Sequence, residues 1–264
     1  MQIILRHTYS YYENYFSHPN IFSENYHRIV STFYEVTSMV SSGYRKHFGN
    51  VQTFDYCGAN PEQLSDSDCN RPAIILLHGS QHNQSGWMPL LKKFQERKIG
   101  PVYTLNYTQD KRQEQLRATL ETVKGQYRKH GKNPNVILIG HSLGGIVAAE
   151  YFFGENHVSD VTVQKVITIG SRLKITENAP FPAMFSDIVP IVNQVYENIL
   201  KSVEKEKLFT ISAKRDWLVP MAASQVYQNG ASVLPESQRF VVDDCSHLSV
   251  LYSPETEEKI LQLV

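Results

Sequence analysis

From residue 71 onward, short apolar runs alternate with longer segments whose apolar positions recur every three or four residues. Ala73–Leu77, Val102–Asn106, Val136–Ile139, Val163–Ile169, Lys207–Ser212 and Ser237–Val242 read as strands. Val136–Ile139 is apolar at every position rather than alternating, as a strand covered on both faces is. Between the strands, Pro89–Arg97, Lys111–Lys129 and Asp187–Val203 read as helices. In the second, Leu116, Leu120, Val123 and Tyr127 follow an i, i+4, i+7, i+11 stripe. In the third, Ile191, Val195, Ile199 and Val203 share a face, and Pro190 suits the first turn. Strand and helix in alternation predict an α/β fold, a mainly parallel sheet with helices on both faces. The 264 residues suit one such domain with a substantial core.

Residues 1–70 differ in character. His27–His47 carries Ile29, Val30, Phe33, Tyr34, Val36, Thr37 and Val40 near helical spacing, which predicts an amphipathic helix packing on the domain. Gln52–Asp68 is polar and reads as a loop, and Val51–Tyr56 is a weak strand candidate. The expected division is a helical and loop extension over 1–70 and a catalytic domain over 71–264, its sheet beginning near Ala73 and so reduced at its N-terminal edge.

The chemistry concentrates where the third strand ends. Asn135–Glu150 reads as strand, sharp turn and helix, and the turn Gly140-His141-Ser142-Leu143-Gly144 has the form G-x-S-x-G. Gly140, Gly144 and Gly145 let strand and helix approach closely. The serine is lifted to the tip of the turn, beside a helix N-terminus whose amides stabilise an anion. The first strand ends in His78-Gly79-Ser80. An aspartate, Asp216, follows the strand Lys207–Ser212 and precedes Val219-Pro220. The last strand runs into Asp243-Asp-Cys-Ser-His247, followed by the apolar stretch Leu248 to Ser253.

Over about Arg71 to Ser253 the chain resembles the α/β-hydrolase superfamily, and within it the small bacterial lipases and esterases. The resemblance implies a serine hydrolase acting on carboxylic, lipid-like esters. Its nucleophile would be Ser142, its general base His247 and its acid Asp216, in the family's order of Ser, acid, His. The backbone N–H groups of Ser80 and Leu143 would form the oxyanion hole. Asp187, Asp243 and Asp244 are rivals for the acid. His141, at the variable position of the turn, lines the site or packs beneath it, and His78 packs under its loop. In this superfamily caps are inserted between the strand after the elbow and the acid strand, here within 172–205. Phe181-Pro-Ala-Met-Phe185 is apolar and irregular, so Phe181 and Phe185 are candidates for roofing an acyl groove, while the helix after them reads equally as an ordinary crossover. The same three residues would serve an acyltransferase or a thioesterase, and a catalytically silent binding module on this fold is the alternative from another class.

Composition narrows the partners. Twenty-six basic residues balance 26 acidic ones with no basic stripe, so no nucleic-acid footprint is expected. Apolar runs are too short for a membrane span, which leaves a small-molecule ester or lipid substrate and transient contact with a lipid surface. Met1 to Tyr9 has neither a charged n-region nor a cleavage site, so no Sec signal peptide is expected and the location expected is cytoplasmic, with export by a signal-independent route left open. Cys57, Cys69 and Cys245 form no framework and lack metal-ligand spacing; either Cys57 and Cys69 pair across their loop or the thiols are free. No metal and no cofactor is expected.

Overall fold

The computed structural model describes residues 64–176 and 183–264, together with helical positions 32, 35–38 and 40. Six strands form one sheet: β1 (Ala73–Leu77), β2 (Val102–Leu105), β3 (Asn135–His141), β4 (Thr162–Ile169), β5 (Leu208–Ala213) and, after a short hairpin of β6 (Tyr227–Gln228) and β7 (Ala231–Ser232), β8 (Arg239–Val242). Their order in space is β2-β1-β3-β4-β5-β8. Every neighbouring pair is parallel. The predicted strand at Val51–Tyr56 lies outside the described residues.

Successive residues of the inner strands enter opposite cores. Ala73, Ile75 and Leu77 of β1 join one apolar cluster, with α2 (Arg112–Arg128), α3 (Leu143–Phe153) and α4 (Val189–Lys201). Ile74 and Leu76 join the other, with α1 (Met88–Glu96) and α6 (Pro254–Leu263); the single turn α5 (Met221–Ser224) follows β5. This is why β1 and β3 lack a polar face: both sides are covered. The four predicted stripe positions of α2, Leu116, Leu120, Val123 and Tyr127, are each at most 1% exposed.

Two expectations about the third predicted helix change. The helix ends at Lys201, and Val203, placed on its apolar face, is 90% exposed beyond the end. The buried face is Val192, Val195 and Ile199, which dock on the same side of the sheet as α3. The segment Val189–Lys201 is thus a crossover helix, with Pro190 in its first turn. It is preceded by a 3-10 helix, Ala183–Ile188.

Chain order and spatial order part company at β1. From β1 the chain steps outward to β2, then returns past β1 to start β3 on its other side. The connections before and after this reversal leave the sheet in opposite directions, which opens a crevice at the carboxyl ends of β1 and β3. Gly79-Ser80 leaves the first of these ends and Ser142 the second. Among the described residues no helix is long and apolar enough to cross a membrane.

Candidate active site

Ser142 sits between the last residue of β3 and the first of α3, with φ 54° and ψ −119°. A non-glycine residue here costs on the order of 1–3 kcal/mol and persists only where its surroundings fix it. Ser142 N–H donates to the Ile169 carbonyl at 2.9 Å, and Gly145 N–H donates to the Ser142 carbonyl at 3.1 Å. Close packing does the rest. A methyl on Gly140 would run into the backbone of Gly144, and one on Gly144 into the backbone of Leu77. Helix α3 therefore crosses directly over the ends of β1 and β3, and the serine is thrust outward, only partly covered.

The first strand's exit packs on this turn. A Cβ on Gly79 would lie 3.2 Å from Ser142 Cβ and 3.0 Å from His141 Nδ1. Ser80 thus begins its loop beside the serine, and Leu143 follows the serine as the first residue of α3. His78 holds that loop from below. Its Nε2 accepts from Tyr107 N–H at 3.3 Å, leaving Nδ1–H to donate to the Gly79 carbonyl at 2.8 Å. Tyr107 stacks on the imidazole at 4.4 Å and donates its hydroxyl to the His78 carbonyl at 2.5 Å. Burial raises the Tyr107 phenol pKa, so the hydroxyl keeps the proton it donates.

His247 lies in the turn after β8. Its Nε2 is 3.0 Å from Ser142 Oγ and its Nδ1 is 2.8 Å from Asp216 Oδ2. The other carboxylate oxygen of Asp216 accepts from Leu218 N–H at 2.9 Å and from Val219 N–H at 2.7 Å. These backbone donors fix the carboxylate's orientation, and the Asp216 side chain is wholly enclosed. Nδ1–H of His247 therefore faces the acid, and a bare Nε2 faces the serine hydroxyl. Gly170, with φ 53°, backs the pair: a Cβ there would touch Asp216 Oδ2 at 3.4 Å and His247 Nδ1 at 3.6 Å.

The rivals lie elsewhere. Asp243 pairs with Lys214 at 3.0 Å, Asp244 with Arg215 at 3.6 Å, and exposed Asp187 accepts from Gln109. His130 pairs with Asp66, and His157 bonds the Tyr151 carbonyl. His141 packs rather than lines: it is 3% exposed and offers little surface to a substrate. Its Nε2–H donates to the His247 carbonyl at 2.9 Å, and the two rings are 5.1 Å apart. Burial, with help from the neighbouring His247, pushes the His141 pKa down to about 3, so the ring is neutral. Phe181 lies outside the described residues; Phe185 falls within the 3-10 helix Ala183–Ile188. Cys69 and Cys245 are buried and form no disulfide among the described residues, and Cys57 lies outside them.

Two residues that the sequence pattern did not single out belong to this neighbourhood. Arg172, 3% exposed, donates to the Leu218 carbonyl at 2.5 Å and so braces the acid loop. Burial lowers its pKa while the charge of Asp216 opposes that effect. The second is Glu35, whose carboxylate accepts from the N–H groups of Leu248 and Ser249. Among the described residues no cluster of three or more His, Cys, Asp or Glu side chains is arranged to hold a metal ion. A polar cavity of about 360 Å³, lined by Gln113, Arg117, Glu150 and Asn198 among others, opens at the far end of α3 from Ser142.

Comparison with curated proteins gives no sequence match. Among solved structures, the product of the gene lin2722 from Listeria innocua superposes with a TM-score of 0.52 at 17% identity, covering 72% of this chain and 92% of its own. A truncated form of a carbohydrate esterase from gut microbiota also gives 0.52, at 16% identity, covering 81% and 86%. Identities this low establish the shared fold. The family model described as PGAP1-like alpha/beta domain matches residues 104–252, more than half of the chain, from within β2 to the turn beyond His247. The α/β-hydrolase fold is thus reached both from the strand order and from the match, and the chain belongs to the PGAP1-like alpha/beta domain family.

Proposed function

We propose that the protein is a serine hydrolase that cleaves carboxylic esters through an acyl-enzyme. One observation carries the reading: the unbroken relay from Ser142 Oγ to His247 Nε2 at 3.0 Å and from His247 Nδ1 to Asp216 Oδ2 at 2.8 Å. Family and fold support hydrolase activity; the relay supplies the nucleophile, base and orienter that such chemistry needs.

In this mechanism Ser142 Oγ attacks the ester carbonyl carbon while its proton passes to His247 Nε2. Asp216 stabilises the imidazolium and holds the productive tautomer. The carbonyl oxygen becomes an oxyanion, met by the N–H groups of Ser80 and Leu143; losing one such donor typically costs about 10²–10³ in rate. Collapse breaks the C–O bond, and Nε2–H protonates the departing alkoxide. Water, deprotonated by Nε2, then attacks the acyl-serine and releases the acid. Trp217, 70% exposed directly after Asp216, and Met221, 37% exposed, put apolar surface beside the acid loop and support a lipid-like substrate.

The test is labelling with a fluorophosphonate and turnover of p-nitrophenyl esters. Ser142→Ala should abolish labelling and lower kcat by about 10⁴–10⁶ while Tm stays close to wild type. Full labelling of that variant at another serine would sink the assignment.

A further inference from the structure

The peptide unit that joins His247 to Leu248 is gripped at both ends. Its carbonyl accepts from His141 Nε2–H at 2.9 Å. Its N–H points at the carboxylate of Glu35, 3.0 Å from each oxygen. The next N–H, that of Ser249, donates to Glu35 Oε2 at 3.1 Å. Glu35 comes 213 residues before Leu248, ahead of every strand of the sheet, yet it is only 6% exposed.

The histidine turn needs such a partner. It continues as a 3-10 helix, Ser249–Tyr252, whose N-cap residue, Leu248, supplies no side-chain cap. Ser249 Oγ accepts from Ser246 N–H at 2.8 Å, and Val250 N–H reaches the Ser246 carbonyl at 3.1 Å. Of the three N–H groups between them, those of Leu248 and Ser249 are the ones that Glu35 takes. A buried N–H left without an acceptor carries its full desolvation penalty. Without the carboxylate the turn must shift to find other acceptors, and the imidazole shifts with it.

We propose that Glu35 is a positioning residue for His247: it caps the histidine turn from the N-terminal segment and thereby fixes the imidazole between Asp216 and Ser142. The inference deepens the hydrolase reading and rests on it for the kinetic consequence. Glu35 touches no reacting atom and acts through the backbone. A displacement of about 1 Å at a reacting group can cost on the order of 10²-fold. The loss should fall on kcat, because the groups that bind substrate are untouched.

The experiment compares full-length wild type, Glu35→Ala and Glu35→Gln, each assayed well below its own Tm. Glutamine keeps one acceptor oxygen but turns an NH₂ toward Leu248 N–H, so it should recover part of what alanine loses. For Glu35→Ala, kcat should fall about 10- to 100-fold with KM within about two-fold, and fluorophosphonate labelling of Ser142 should slow in parallel. A merely structural role would lower Tm and leave kcat of the folded protein unchanged. Amide hydrogen exchange at Leu248 and Ser249 gives a readout free of turnover, and it should quicken at least about ten-fold in the alanine variant. Unchanged exchange overturns the clamp, and quicker exchange with unchanged kcat overturns its role in positioning. A wild type that never labels at Ser142 would defeat the hydrolase reading instead, while exchange still decides whether Glu35 holds the turn. If Glu35→Ala does not fold, Glu35→Gln carries the same comparison.

Discussion

Asp216 divides its two oxygens between tasks: one is committed to the amides of Leu218 and Val219, the other to His247 Nδ1. An amide in its place would present NH₂ to one of those partners, either opposing backbone donors or inverting the imidazole tautomer. Asp216→Asn should therefore cut kcat by up to about 10⁴. Asp243→Asn, which weakens an exposed pair with Lys214, and Asp244→Asn, which weakens a largely buried pair with Arg215 remote from Ser142, should each change it less than about three-fold. Kinetics of the three variants decide the matter, and a crippled Asp243 or Asp244 variant would move the acid. His141 gives a second prediction at this scale. Its folded pKa of about 3 lies below the ordinary imidazole value of 6.5. Between these values the unfolded chain binds a proton that the folded one refuses, so stability rises with pH across the window. The contribution is complete above pH 6.5 and is lost as pH falls toward 3. Denaturant midpoints from pH 7 to pH 4 should fall less steeply in His141→Gln than in wild type, and parallel curves would contradict the neutral buried ring. The position illustrates what a motif leaves open: G-x-S-x-G fixes the glycines and the serine, whereas the side chain at x meets a loop more than 100 residues later.

At the scale of elements, the elbow was legible because strand, turn and helix occupy one contiguous stretch and every steric demand is local. Gly144 faces the Leu77 backbone, which has no rotamer to yield. Gly144→Ala should destabilise by about 3 kcal/mol or more and abolish activity together with fold. Gly125, in the last turn of α2, meets nothing within 4 Å. Gly125→Ala should instead stabilise by about 0.5–1 kcal/mol, because alanine has less backbone freedom to lose. Urea midpoints of the pair check both signs, and a tolerated Gly144→Ala would mean that helix and strand are not in contact. The end of the third predicted helix was less legible. Val203 continues the apolar spacing, but the chain leaves helical geometry at Ser202, so periodicity outran the element. Glu35 carried no local signal at all: one acidic residue in an amphipathic segment looks like any solvated face. Its partners are backbone amides, which have no side-chain identity to read.

For the whole molecule, strand order was implied by the sequence only through the alternation of strands and helices; the return past β1 that opens the crevice is a property of the assembled sheet. The polypeptide leaves β4 with Leu173 buried, and it is fastened again by Ile188 and by Asp187, which accepts from Gln109. The sequence between these points includes residues 177–182, which lie outside the described residues. It contains Phe181 and Phe185 in an apolar sequence that the crossover helix does not use. We propose from this apolar sequence that Phe181 and Phe185 contribute to the acyl site, and that medium or longer acyl chains are preferred over acetate. Each methylene buried should contribute at most about 0.8 kcal/mol, a few-fold in kcat/KM per carbon until the groove is full. A p-nitrophenyl ester series measured on wild type and on the Phe181→Ala, Phe185→Ala double variant checks this. Wild type should rise with chain length, and the double variant should rise less while keeping its rate on acetate, since the relay at Ser142 is untouched. A flat wild-type profile, or one whose slope survives both substitutions, would return the segment to a plain lead-in to α4.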